Sequence, residues 1–226
     1  NEFNYDDIGD NWQVEGFHSP VCASGMEQSP IDLTGGDSDD VLGFVISEHT
    51  DYTEEDDKVL EKKTHTLEMG LDSGKLSITF PNGEQDEFNS LQFHAHSPSE
   101  HTIDGEFRDL EIHFVHTHPD GDKFAVIGVF FQSGDYDDNE FIAQLLFDEV
   151  EGEEAELGAV DVASFLDGLN TDAFWHYDGS FTTPPCTEGV EWFVLKEVQE
   201  ISVDQLNAFQ SYGWGNADYE NGEGNN

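Results

Sequence analysis

The sequence predicts an α+β fold that is predominantly β: a large central, mostly antiparallel, twisted sheet with short helices at its periphery. Three observations carry this. Apolar stretches of strand length, rich in β-branched and aromatic residues, are scattered along the whole chain. One of them, 124–131, is a continuous apolar run with Gly128 inside it, the pattern of a strand buried on both faces. Helical signals, by contrast, mark only three short segments. The 226 residues contain no Gly/Ser- or Pro-rich linker, internal repeat or composition break, so 1–226 is expected to be one domain with a sizeable core.

Residues 1–27 are polar and aromatic with little periodicity, and Gln28-Ser29-Pro30-Ile31-Asp32 reads as an extended entry, since Pro30 disfavours helix at Ser29. A strand is expected over 41–47, an acidic turn over 48–58, and one strand with an irregularity near His65 over 59–68. Strands follow at 75–80 and 87–96, separated by the turn signal Pro81-Asn82-Gly83. A further strand at 110–116 precedes the buried run at 124–131. Phe141, Ile142, Leu145 and Leu146 give 137–146 helical spacing, and Val162, Phe165, Leu166 and Leu169 do the same for 161–169. A strand is expected at 190–195. Ser202 then opens a last helix, with Asp204 and Gln205 in a near capping box.

The charge is extreme: 51 Asp and Glu against 7 Lys and Arg, a net −44, with Arg108 the one arginine. Such a surface repels nucleic acid and anionic lipid. Eighteen Phe argue for a folded core rather than an acidic disordered chain. Acidic groups such as Asp135-Tyr136-Asp137-Asp138 read first as solvated surface adapted to salt, with Ca²⁺ binding as the alternative, although they lack the spacing of an EF-hand loop. No apolar run approaches the length of a membrane span, so no membrane insertion is expected. The chain begins at Asn1 with no signal-like stretch and reads either as a processed chain or as an engineered segment of a longer one. Cys22 and Cys186 both lie in turn-rich segments, where free thiols are a liability; bridged, they would contribute roughly 5 kcal/mol in the chain-entropy model.

The chemistry concentrates between 92 and 113. On a strand, residues i and i+2 share a face, so Gln92, His94 and His96 point together, as do Glu111 and His113 on the next apolar run. Antiparallel pairing would bring His113 beside His94 and His96. Three neutral imidazoles on rigid strands make a zinc site with its fourth position open for water, and Gln92 and Glu111 stand where partners would orient the ligand rings.

Gln92-x-His94-x-His96, Ser99-Glu100-His101 and Glu111-x-His113-x-x-His116 together resemble the zinc core of the α-class carbonic anhydrases. Gln28-Ser29-Pro30-Ile31-Asp32 and Ser180-Phe181-Thr182-Thr183-Pro184-Pro185-Cys186 are further matches, and the resemblance runs from about Tyr5 to Asn226. It implies a Zn²⁺ enzyme that reversibly hydrates CO₂ to bicarbonate, with esterase activity as a side reaction. By this resemblance Thr182 accepts the hydrogen bond of the nucleophilic hydroxide and passes its own proton to Glu100. Val115, Val126, Phe181, Thr183, Val190 and Trp192 form the substrate pocket, Tyr5 stands at the active-site rim with Trp12 nearby, and His65 is the proton shuttle. Lys63 and Glu68 replace neutral amides often found beside that shuttle. His101 and His116 are implied to be structural, while His18, His49, His118 and His176 read as ordinary polar residues. The resemblance also implies a Cys22–Cys186 disulfide, and with it a secreted or periplasmic location. A monomer or homodimer is expected. Relatives commonly continue past Asn225-Asn226 with Arg-Pro and a last segment beside the sheet; either such a segment follows or the fold does without it.

Two other readings compete. A catalytically silent, carbonic-anhydrase-like binding domain would typically have lost a ligand histidine, and all three are present. A cupin-type metal oxygenase also uses His-x-His, but the Thr-Thr-Pro-Pro segment and the lack of a cupin-like Gly-rich motif oppose it.

Overall fold

A computed structural model of the chain describes residues 21–35, 43–47, 58–62, 66–72, 74–146 and 154–211. Tyr5, Trp12, His18, His49, His65 and the chain end from 212 lie outside the described residues. The elements in order are α1 (Val21–Ser24), β1 (Asp32–Leu33), β2 (Gly43–Ser47), β3 (Lys58–Lys62), β4 (Leu67–Gly70), β5 (Lys75–Thr79), β6 (Gln85–His96), β7 (Thr102–Ile103) and β8 (Glu106–Phe107). They continue with β9 (Leu110–Thr117), β10 (Phe124–Gly134), α2 (Glu140–Leu145), β11 (Glu154–Leu157), α3 (Val162–Asp167), β12 (Phe174–Ser180), β13 (Glu188–Leu195), β14 (Gln199–Ser202) and α4 (Val203–Ser211).

An 11-stranded sheet runs in the order β11-β3-β4-β6-β9-β10-β13-β12, with β14 added to β10 and β2 joined through β5 to β6. Neighbours are antiparallel except at β10, which pairs parallel with both β13 and β14. The sheet is therefore mixed at its centre, because the chain leaves β10 and returns through α2 and α3, and a long crossover permits a parallel return. β1, β7 and β8 form a small separate sheet.

The expected single strand over 59–68 is corrected: β3 and β4 are two arms of a hairpin, with Glu61 opposite Glu68 and Lys62 opposite Leu67. Lys63, Thr64, His65 and Thr66 offer no Gly, Pro or Asn to mark the reversal. At 81–83 the turn signal holds, with Gly83 at φ 83° closing back onto the Phe80 carbonyl at 2.9 Å.

Alternation divides the sheet into two faces. One buries Phe93, Ala95, Ile112 and Phe114 against Phe141, Ile142 and Leu145 of α2, Val162 and Leu166 of α3 and Phe209 of α4. Phe141 and Phe165 stack at 4.1 Å, joining the two helices over that face. Asn139 caps α2 by accepting from the Phe141 and Ile142 amides, and Asp161 caps α3 through the Ser164 amide. At α4 the capping box is formed: Ser202 Oγ accepts from the Gln205 amide at 3.1 Å, and Gln205 Oε1 accepts from the Ser202 amide at 3.4 Å. The other face carries a smaller apolar cluster of Leu33, Val115, Val126, Phe130, Val190, Trp192 and Val194, and the polar centre described next.

Candidate metal centre

β6 and β9 pair with His94 opposite His113 and His96 opposite Glu111. The strand period sends Gln92, His94, His96, Glu111 and His113 to the face away from the helices. One ring nitrogen from each of His94, His96 and His113 lies within 4.8 Å of the others. His94 donates from Nδ1 to Gln92 Oε1 at 2.8 Å, and Gln92 donates from Nε2 to Glu68 Oε2 at 3.3 Å. That bond leaves the Nε2 lone pair of His94 turned toward the other rings. Nε2 of His94 and Nδ1 of His113 face each other at 3.3 Å. Metal–nitrogen bonds of about 2.0–2.1 Å in a tetrahedral site put ligand nitrogens roughly 3.4 Å apart, so this spacing fits zinc.

His96 supplies the independent test. Its ring is buried, neither nitrogen has a hydrogen-bond partner, and Glu100 Oε2 approaches Nε2 to 3.4 Å outside hydrogen-bond geometry. A buried orphan nitrogen is costly in a native fold unless a metal ion or a water takes it up. Burial drives the His94 pKa down to about 3, assisted by the charge of His113. Burial, then His113 and His94, hold His96 well below its ordinary value. Neutral imidazoles are the ligand form that a metal requires.

Glu111 braces the third ligand. Oε2 accepts from the backbone amides of Glu100 and His101, both at 2.9 Å. Oε1 lies 2.7 Å from His101 Nδ1 and 2.8 Å from His113 Nε2. Burial works to raise this carboxyl, but the charges of His101 and His113 and their hydrogen bonds outweigh it and hold the pKa well below the usual range. His101 Nε2 meets the Tyr177 hydroxyl at 2.7 Å, which in turn donates to Ser29 Oγ at 2.9 Å. Burial keeps the Tyr177 phenol protonated, its pKa well above the ordinary value. A chain of contacts thus runs from His113 to the Gln28-Ser29-Pro30 segment.

That segment also holds the Thr-Thr-Pro-Pro loop. Ser29 and Ser180 exchange two bonds, amide to hydroxyl in each direction, at 3.0 and 3.1 Å. Gln28 Nε2 donates to the Cys186 carbonyl at 3.2 Å, and Cys186 is disulfide-bonded to Cys22 with Cα atoms 5.0 Å apart. Glu188 Oε1 accepts from the Met26 and Glu27 amides. Thr182 and Glu100 are both buried. Among the described residues no hydrogen bond joins them; Glu100 Oε2 instead faces His96 and lies 3.9 Å from His113 Nδ1.

Val115, Val126, Val190 and Trp192 gather in one apolar cluster, with Phe181 packed against it. Trp192 links the cluster to the histidines, its ring 4.8 Å from that of His113 and its Nε1 donating to the Ser180 carbonyl at 3.0 Å. Thr183 is half-buried in the adjoining loop. Thr66, next to His65, donates from Oγ1 to the Ala95 carbonyl at 2.8 Å, between His94 and His96. Sequence reasoning missed Tyr177, Ser29 and Glu68 as members of this network; each lies far along the chain from the group it holds, and no local spacing marks it.

Comparisons place the chain among known proteins. The family model for eukaryotic-type carbonic anhydrases matches residues 8–223. Alpha carbonic anhydrase 4 of Arabidopsis thaliana is 38% identical over 205 residues, covering 89% of this chain and 72% of that protein. Dioscorin dioA3 of Dioscorea japonica is 32% identical over 212 residues, covering 90% of this chain and 70% of that protein. Among solved structures, the Photobacterium profundum alpha-carbonic anhydrase superposes with a TM-score of 0.78 at 30% identity, covering 95% of this chain and 93% of the other.

Proposed function

Because the chain belongs to the eukaryotic-type carbonic anhydrase family, a family of lyases, we propose that it reversibly hydrates CO₂ to bicarbonate and a proton at a zinc ion held by His94, His96 and His113. The observation that carries this reading is the 3.3 Å approach of His94 Nε2 to His113 Nδ1 beside the orphan nitrogens of buried His96. Bound zinc supplies a Lewis acid that brings the pKa of coordinated water to about 7, and so a nucleophile for CO₂ at neutral pH.

The protein's own groups do the rest. Gln92, backed by Glu68, fixes the rotamer and tautomer of His94, and Glu111 does so for His113. Thr182 accepts a hydrogen bond from the attacking oxygen and turns its own proton toward Glu100, which orients the lone pair at the substrate. That role needs Glu100 to face Thr182, whereas its Oε2 lies 3.4 Å from His96 Nε2 in the structure. Val115, Val126, Val190, Trp192, Phe181 and Thr183 wall the place where apolar CO₂ waits. His65 carries the released proton outward, since an imidazole titrates near neutral pH, and Tyr5 takes the family's rim role. Activated esters are a second class of electrophile for the same nucleophile.

Residues 1–226 form one catalytic domain in this reading, adapted to salt and placed in an oxidising compartment, secreted or periplasmic. The Cys22–Cys186 disulfide supports the compartment. No described helix is long and apolar enough to cross a membrane. The dioscorin relative bears a name that is not an enzyme's and keeps a second reading in view, a catalytically silent binding domain; the three intact histidines favour the enzyme. Metal analysis after dialysis in high salt, together with a CO₂ hydration assay, separates the two. One tightly held zinc per chain and activity are expected, both lost in His94→Ala. A wild-type protein that holds zinc but hydrates no CO₂ would establish the silent domain, and full activity in His94→Ala would refute the site.

A further inference from the structure

A second set of ligand atoms converges at the edge of the large sheet, on β12 and β13. Asp178 stands directly opposite Glu191, and His176, two residues before Asp178, shares its face. Nε2 of His176 lies 2.7 Å from Glu191 Oε2, and one ligand atom from each of the three lies within 4.8 Å of the others. The imidazole is preorganised: its side chain is 6% exposed and its ring packs at 4.9 Å against Phe193. Tyr177 and Trp192, paired across the same two strands, point to the opposite face, so this cluster is not an extension of the first centre.

Two carboxylates directly opposed on neighbouring strands repel each other. Burial, then the charge of Glu191, raises the Asp178 carboxyl; His176 opposes this, while Glu27 and a hydrogen bond between Asp178 and Glu191 add to it, so a proton shared by the two carboxyls eases the repulsion in the metal-free protein. A divalent cation would remove that repulsion. One imidazole nitrogen with two carboxylates is a mixed N/O set that suits Zn²⁺ and its neighbours, whereas Ca²⁺ and Mg²⁺ favour all-oxygen shells of six or more.

We propose that His176, Asp178 and Glu191 form a second, structural site for a divalent transition metal of the zinc class, which ties β12 to β13. The cation replaces the proton between His176 Nε2 and Glu191, whose atoms must part from 2.7 Å to roughly 3.4 Å to share it, and leaves further positions to water.

The test is zinc stoichiometry by equilibrium dialysis and elemental analysis. About 1 M NaCl shortens the Debye length to roughly 3 Å and, with excess Mg²⁺, suppresses diffuse binding to the acidic surface. Wild-type protein with its first site filled is expected to take a second zinc and to melt at a higher temperature for it. Glu191→Gln and the double variant His176→Ala, Asp178→Asn are expected to stop at one equivalent while keeping wild-type CO₂ hydration. In wild-type protein itself, imidazole ¹⁵N resonances should show a further histidine shifted by the second equivalent, a readout that does not depend on the variants folding. A wild type that saturates at one zinc, a second equivalent kept by both variants, or no further histidine shifted would each overturn the proposal. The ¹⁵N shift of His176 reports this site whether or not the first is filled or active, so the two readings fail separately.

Discussion

Gly128→Ala tests whether the packing behind the metal centre sets its affinity. Gly128 sits mid-strand in β10, opposite His113 on one side and Val194 on the other. A Cβ there would lie 3.1 Å from Glu111 Oε1 and 3.3 Å from both Val194 methyls. Neither neighbour yields easily: Glu111 is held by two amides and two imidazoles, and Val194 is fully buried. Overpacking of this kind costs about 1–3 kcal/mol, offset by roughly 0.4–1 kcal/mol from the reduced freedom of the unfolded chain. The net is a loss of about 1–2 kcal/mol, or roughly 2–8 °C in melting temperature for a domain of this size. Glu111 must shift by a few tenths of an ångström and take its contact with His113 along, so zinc affinity should fall about 10–100-fold. Thermal melts of the metal-free protein and zinc titration against a competing chelator measure the two effects. Gly70→Ala, with nothing within 4 Å of the added carbon, is the control. A Gly128→Ala protein that melts at or above the wild-type temperature and binds zinc equally well would refute the reasoning.

Acid should weaken the metal-free fold through His94, whose pKa is about 3 in the folded protein against an ordinary 6.5, with burial the main cause. Between those values the unfolded chain binds a proton that the folded chain refuses. Stability therefore falls as pH falls through that window, by at most about 1.4 kcal/mol per pH unit, and is insensitive to this group above it. Measured against His94→Asn across the same range, wild-type protein should lose ground below about pH 6.5, the ordinary imidazole value; a constant gap would contradict this. His65→Ala should lower the maximal hydration rate at low buffer concentration while sparing CO₂ conversion, and imidazole buffer should restore part of it; an unchanged rate would remove His65 from proton transfer. The net charge of −44 should raise the pH midpoint of activity at low salt. Raising a weakly coordinating salt from about 0.01 M to 1 M, which shortens the Debye length from about 30 Å to about 3 Å, should then move the midpoint to lower pH and raise the melting temperature. A fixed midpoint would assign control to local groups, and salt-insensitive melting would remove the salt-adapted reading.

What the sequence determined by itself was whatever rests on local period and local chemistry. Period-two alternation was enough to put His94 and His96 on one face and to predict β6 and β9; helical spacing was enough for α2 and α3, and a near capping box for α4. The apolar run around Gly128 announced a strand buried on both sides, as β10 is. The tertiary structure alone decided what depends on distant parts of the chain meeting. The hairpin of β3 and β4 replaced one expected strand because its reversal carries no turn residue, and only pairing across the sheet distinguishes the two. β12 went unforeseen because Phe174 to Ser180 mixes polar and aromatic residues and draws its stability from pairing with β13. That same pairing turned His176, an ordinary polar residue in one dimension, into a neighbour of Asp178 and Glu191. The link from His113 through Glu111, His101 and Tyr177 to Ser29 spans the chain from position 29 to 177. No sequence period encodes such a path: strand and helix repeats specify which way a side chain points, and only long-range closure specifies what it meets.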